Sequence, residues 1–309
     1  MSTHSPHPHH ASAPESRATE SRLRLALWLT AGFAVAEVIG GLASGSLALV
    51  ADAGHMLTDA SALGLAWLAT RIARRPPDRR RSYGYHRAPV LAAFVNAAVL
   101  LAMAVWIVVE AIARLHLPRP VLGAPMLAVA LVGLVVNLVV LRVLAGGHHH
   151  GHGHHHDLNL RGALLHVIGD LLGSVGAVAA AVVIILTGFT AIDPILSLLV
   201  AALIARSAWS LLARSTHVLL EGTPEEVDPR TVASGLGESL PGVIDVHHVH
   251  AWSLEPGRPV ITLHARMAPG ADPEQTMRRI KDELLRRFGI RHSTVQLEQG
   301  HCPDRDPPS

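Results

Sequence analysis

The chain has 309 residues, of which 50% are hydrophobic, 16% charged and 4% aromatic, and its formal net charge is +2. Soluble globular chains carry about 25% charged residues; the deficit, with a mean hydropathy of +0.34, indicates a polytopic membrane protein with a modest soluble part. The near-neutral balance identifies no partner and gives no reason to expect nucleic acid, and the single cysteine, Cys302, excludes an internal disulfide framework.

Residues 1–21 are polar and rich in His and Ser. They lack the apolar core of a signal peptide and are expected to be a His-rich N-terminal segment without fixed structure. A membrane region follows over residues 22–215. Six spans are predicted, approximately Leu23–Leu42, Leu47–Ala69, Ala88–Ala113, Val121–Leu144, Leu160–Leu186 and Ile192–Leu212, each long enough for a hydrocarbon core of about 30 Å. The second-to-third connection carries Arg71, Arg74, Arg75, Arg79, Arg80, Arg81 and Arg87, whereas the turn at Gly45 has no basic residue. The positive-inside rule places the Arg-rich loop in the cytoplasm. An even number of spans then puts both termini there, and the short Arg-heavy loops fit a bacterial inner membrane. The fourth-to-fifth connection, residues 146–157, holds His148, His149, His150, His152, His154, His155 and His156. Such a loop can bind zinc loosely and raise its local concentration.

Residues 216–300 change character. Asp228-Pro229 reads as N-cap and first position of a helix, Val243–Ser253 and Val260–Met267 as strands, Asp272-Pro273 as the start of an amphipathic helix, and Ile290–Leu297 as a last strand. This α-β-β-α-β order predicts a small α+β domain, followed by a Pro- and Asp-rich tail over 301–309.

The chemistry lies in two segments, Asp52-Ala53-Gly54-His55-Met56-Leu57-Thr58-Asp59 and Leu164-Leu165-His166-Val167-Ile168-Gly169-Asp170. In each, a histidine and an aspartate four residues apart lie on one helix face, inside a predicted span. Ionisable groups at that depth cost roughly 2.5–3.5 kcal/mol each on insertion scales and mark pathways by default. Two such helices facing each other would gather two imidazoles and two carboxylates, a four-coordinate set suited to zinc. His55, Asp59, His166 and Asp170 are therefore the candidate transport site for a divalent metal ion. Cadmium and cobalt fit the same donors. Glu37 and Asn96 are further polar groups at membrane depth, read as structural pairing, and Asp52 either lines the path or caps a helix.

Several segments together resemble the cation diffusion facilitators, in their zinc-exporting branch: Glu37 through Asp59, Ser82-Tyr83-Gly84-Tyr85-His86-Arg87, Asn96, the second His/Asp pair, Asp193-Pro194, and Val246-His247-His248-Val249-His250-Ala251-Trp252. The resemblance covers Leu23 to about Glu298. It implies a homodimer of six-helix transmembrane bundles, each with a C-terminal cytoplasmic α+β domain of ferredoxin-like fold. It also implies export of Zn²⁺ from the cytosol in exchange for protons by alternating access. His55, Asp59, His166 and Asp170 fall on the family's transport site, and His247, His264 and Glu298 match positions that hold regulatory zinc in some members. Metal binding requires unprotonated ligands, so proton competition supplies the coupling. Two other classes are alternatives. One is a membrane metal sensor or store without transport, in which the His-rich loop and the cytoplasmic domain do the work. The other is an intramembrane zinc metalloenzyme, which His-Glu-x-x-His would have favoured and four protein ligands disfavour. Apart from metal ions and protons, membrane lipid is the expected environment, and no enzyme activity is expected.

Overall fold

The computed structural model describes residues 13–145, 154–255, 257–302 and 304, with side chains over 28–143 and from 168 onward within those stretches. The N-terminal histidines, most of the 146–157 segment and the side chain of His166 lie outside the described residues. Six long helices come first: α1 (Ala13–Ser44), α2 (Leu47–Ala73), α3 (Ala88–His116), α4 (Gly123–Ala145), α5 (His154–Thr187) and α6 (Ile192–Leu219). Then follow α7 (Pro229–Ser239), β1 (Val243–Ser253), β2 (Pro259–Met267), α8 (Pro273–Phe288) and β3 (His292–Glu298). Four stretches, Ala88–His116, Gly123–Val143, Ile168–Thr187 and Ile192–Leu219, are long and apolar enough to cross a membrane. In α1 the described apolar part, Trp28–Ser44, is shorter. Helix α2 falls below the hydropathy of a span because Asp52, His55, Thr58 and Asp59 occupy it. The residues that carry chemistry weaken the signal of the helix that holds them. Helix α5 starts at His154, earlier than the expected span, since no Gly or Pro between His154 and Leu160 stops it.

Two compact units divide the chain: residues 1–63 with 99–208, and residues 64–98 with 209–309. In the first unit α2 is central. Leu47 and Ala51 pack with Ile107 and Ala111 of α3 and Ala201 of α6. Leu49 packs with Met126 and Ala130 of α4 and Ala177, Ala180, Ala181 and Ile184 of α5. Met56 meets Phe33 and Ala34 of α1. Small residues dominate these contacts, as expected where helices associate by close packing rather than by expulsion of water. At Gly133 of α4 an added Cβ would stand 2.5 Å from the Phe33 ring, so α1 and α4 approach as closely as a glycine permits.

The N-terminal end of α2 is tied down by polar groups. Asp193, in the first turn of α6, is fully buried. Its Oδ2 accepts from Leu47 N at 2.8 Å, and its Oδ1 accepts from Ser46 Oγ at 2.5 Å and Ala48 N at 3.2 Å. A carboxylate from α6 thus caps α2 at the positive end of its dipole. Arg114 of α3 stands 4.0 Å from Asp193 Oδ2 and donates to Gly45 O at 2.6 Å.

In the second unit the sheet order is β1-β2-β3, with β1/β2 antiparallel and β2/β3 parallel. Both helices start as expected. The Asp228 side chain accepts from Arg230 N and Thr231 N with Pro229 following, and Asp272 accepts from Gln275 N before Pro273 opens α8. Helix α8 ends on Gly289 at φ 68°, in the left-handed region, with Ile290 N donating back to Leu284 O. Val232, Leu236, Val246, Ile261, Leu263, Ala265, Ile280, Leu284 and Ile290 form the core. The α2–α3 connection belongs to this unit and is ordered by it. Tyr85 Oη donates to Asp78 at 2.7 Å, Arg87 pairs with Glu221 at 3.1 Å, His86 lies 3.5 Å from Glu255, and Tyr83 meets the His292 ring edge-on.

Candidate metal centres

Helix α2 presents Asp52, His55 and Asp59 at i, i+3 and i+7. His55 Nε2 lies 3.5 Å from Asp59 Oδ2, and both side chains are partly buried. Asp170 on α5 is buried, as is Asp52. Gly173, three residues beyond Asp170, faces Asp52: a Cβ there would stand 3.5 Å from Asp52 Oδ1. A Cβ at that distance would be in ordinary van der Waals contact, so α5 runs beside α2 at this level. Glu37 of α1 is 2% exposed, and its carboxyl hydrogen-bonds that of Asp52 and feels the charge of Asp170. Three helices therefore contribute carboxyl groups around Asp52, one turn before His55 on α2. Asn137 of α4 donates to Ser174 of α5 at 3.1 Å, a buried bond that ties α5 to α4. The Glu37–Asp52 contact agrees with Glu37 as a paired group. That the pair sits next to Asp170 is a tertiary fact, signalled in the sequence only by the cost of placing Glu37 in a span.

The second cluster is in the sheet. His247 of β1 is paired directly with His264 of β2, and Glu298 of β3 sits diagonally beyond, opposite Arg266. His264 Nδ1 lies 2.9 Å from Glu298 Oε1, and His247 Nε2 lies 3.2 Å from Glu298 Oε2. Cys302 Sγ is 3.4 Å from His264 Nδ1. One donor atom from each of His247, His264, Glu298 and Cys302 falls within 4.8 Å of all the others. Two of these atoms, His247 Nε2 and Glu298 Oε2, are buried and make no hydrogen bond. They face each other in close range but off hydrogen-bond geometry, which is how ligands converging on a common centre are arranged. The set N₂OS suits zinc. Partners outside the cluster orient it: His247 Nδ1 bonds Asp245 at 2.9 Å, and Asp304 lies 3.4 Å from His264 Nε2. Burial works to raise the Glu298 pKa, but hydrogen bonds from Cys302 and Gln296 and the charges of His247 and His264 outweigh it and hold the carboxyl below its ordinary value. Burial, with the charges of Glu298 and Asp304, holds the Cys302 thiol above its ordinary value; a bound metal would reverse that.

Strict alternation along β1 would put His248 with His250, opposite His247. The strand instead bulges between His247 and His250, with His248 at φ 47°. A β-bulge adds one residue and re-aims the side chains around it. The His248 ring consequently stacks on His264 at 5.0 Å and meets His247 at 5.4 Å. Cys302 joins the cluster because β3 ends at Glu298 and the chain turns back within four residues.

Residues 23–220 match the cation efflux transmembrane domain, and residues 225–300 match the cytoplasmic domain of cation efflux proteins. The chain belongs to the cation efflux family, a family of multi-pass membrane transporters and not of enzymes. It is similar to the zinc transporter ZitB of Pectobacterium atrosepticum, 49% identical over 96% of this chain and 90% of that protein. It is also similar to the metal cation efflux system protein CzcD of Cupriavidus metallidurans, 40% identical over 93% of this chain and 89% of the relative. A cadmium, cobalt and zinc/H(+)-K(+) antiporter of Bacillus subtilis is 37% identical over 91% and 89%. Neither the sensor nor the metalloenzyme alternative finds support among these relatives.

Proposed function

We propose that the chain exports Zn²⁺ from the cytosol in exchange for protons, with cadmium and cobalt as further cargo. His55 and Asp59 on α2 and His166 and Asp170 on α5 are the cargo ligands. The observation that supports this most is the approach of α5 to α2 at Gly173 and Asp52, which sets the two His/Asp-bearing helices side by side. Two carboxylates balance the charge of the ion, and two neutral imidazoles favour a borderline metal over Mg²⁺ or Ca²⁺. Each ligand must lose its proton to bind metal, so protons arriving from outside displace the ion outward. Glu37 and Asp52, whose carboxyl groups are paired with each other, line the path next to the site. His247, His264, Glu298 and Cys302 form a cytoplasmic zinc site, fed by the His-rich 146–157 segment. The working unit is a homodimer of six-span protomers with ferredoxin-like cytoplasmic domains, in a bacterial inner membrane with both termini inside. The test is zinc accumulation in everted membrane vesicles energised by a proton gradient. Asp170→Asn, with expression matched to wild type, is expected to abolish accumulation; wild-type rates in that variant would refute the assignment.

A further inference from the structure

We propose that the C-terminal end of α2 is a binding site for the phosphate headgroup of an acidic phospholipid. Trp67, Thr70, Arg71 and Arg74 stand at i, i+3, i+4 and i+7, one face of the last two turns, and line a groove of about 280 Å³. Trp67 is 64% exposed, and the Arg71 guanidinium lies 5.5 Å from its ring centroid. That cation–π contact holds the indole and the guanidinium together along the groove. Some arginines elsewhere in the membrane region and its connections are paired, Arg87 with Glu221 and Arg114 and Arg119 with Glu110. Among the described residues no acidic side chain pairs with Arg71 or Arg74. The nearest carboxylate in sequence, Asp78, is spent on Tyr85, Arg80 N and Arg81 N.

A C-terminal arginine also complements the helix dipole, but that alone requires neither the exposed indole nor the groove. An indole with two unpaired guanidinium groups one and two turns beyond matches the boundary between hydrocarbon and headgroups, where aromatic rings and cationic side chains collect. Phosphate is the anion that boundary offers, and guanidinium binds it through paired hydrogen bonds. Helix α4 repeats the pattern by itself. Val135, Leu138, Val139 and Arg142 have the same spacing and line a groove of about 240 Å³. The three apolar residues are 58%, 43% and 43% exposed. An exposed apolar ridge that ends in arginine fits an acyl chain below and a headgroup above. A free phosphate would leave the ridge and the indole without a partner. The site rests on the topology proposed above, which places the end of α2 at the cytoplasmic leaflet, and it is independent of transport.

The experiment counts lipids on the full-length protein by native mass spectrometry from a mild detergent, titrating phosphatidylglycerol against phosphatidylcholine. An arginine near an anionic surface contributes about fivefold in affinity, so the pair gives wild type about a 30-fold preference for phosphatidylglycerol. R71Q/R74Q is expected to lose most of it and R71K/R74K to keep most of it. R79Q/R80Q, which alters loop charge outside the groove, should match wild type. Melting temperatures without added lipid establish that each variant is folded. Equal binding of the two lipids by wild type would overturn the proposal. So would equal losses in R71Q/R74Q and R79Q/R80Q, or conversion of R71Q/R74Q to a monomer with its lipid preference intact, which would make the face a contact between copies. Loss of zinc transport without change in lipid count would bear on the cargo site alone.

Discussion

Replacing Asp193 by alanine should be among the most damaging single changes in the membrane region. The carboxylate is fully buried and accepts from Ser46 Oγ, Leu47 N and Ala48 N, with Arg114 at 4.0 Å. Alanine removes all three acceptor contacts and leaves two backbone donors, a hydroxyl and part of a guanidinium charge buried without compensation. Removing one partner from such a buried charged network costs about 3–5 kcal/mol. For a chain of this size each kcal/mol moves the melting temperature by about 2–4 °C, so the expected loss is between about 6 and 20 °C. Asn keeps one oxygen acceptor and loses the charge, so Asp193→Asn should fall about midway. The assay is size-exclusion recovery of detergent-solubilised protein after stepped heating. A melting temperature for Asp193→Ala within about 2 °C of wild type would refute the view that α6 anchors α2 through this side chain.

His264→Ala and Glu298→Gln should each weaken zinc binding to the cytoplasmic cluster by at least tenfold, an effect of the size seen when a ligand set is broken. Isothermal titration of the full chain, with Asp59→Ala as background to silence the transport site, reads this directly. Binding there should weaken as pH falls, because protons compete for the two imidazoles. Glu298 is held below the ordinary carboxylate range and so stays ionised to lower pH than an exposed carboxylate. Gly133→Ala should drive a methyl group into the Phe33 ring. The expected cost is about 1–3 kcal/mol, read as a lower melting temperature.

Much of the architecture was legible because it rests on local rules. The pairs Asp228-Pro229 and Asp272-Pro273 mark helix starts through backbone satisfaction, and both helices begin there. The His/Asp pairs at i, i+4 are visible because helix geometry alone puts them on one face. What was hidden depends on contacts distant in sequence. Asp193 reads as an N-terminal residue of α6, yet its acceptors serve α2, some 145 residues earlier. The bulge at His248 breaks the alternation that a strand reading assumes, and nothing local to Val246–Val249 marks it. Cys302 completes the set of His247, His264 and Glu298 only because the chain reversal after β3 brings it back to His264. The Arg-rich connection was read for topology only, whereas Arg87, His86 and Tyr83 pack on partners far along the chain.

The central claim, that protons drive zinc through the His55/Asp59 and His166/Asp170 site, is tested most directly in proteoliposomes with an imposed pH gradient. Zinc uptake by the wild-type protein is compared with that by Asp59→Ala. The account predicts gradient-dependent uptake in the wild type and none in the variant. Uptake by both proteins, or by neither, would contradict it and leave the His/Asp pairs as structural links between helices.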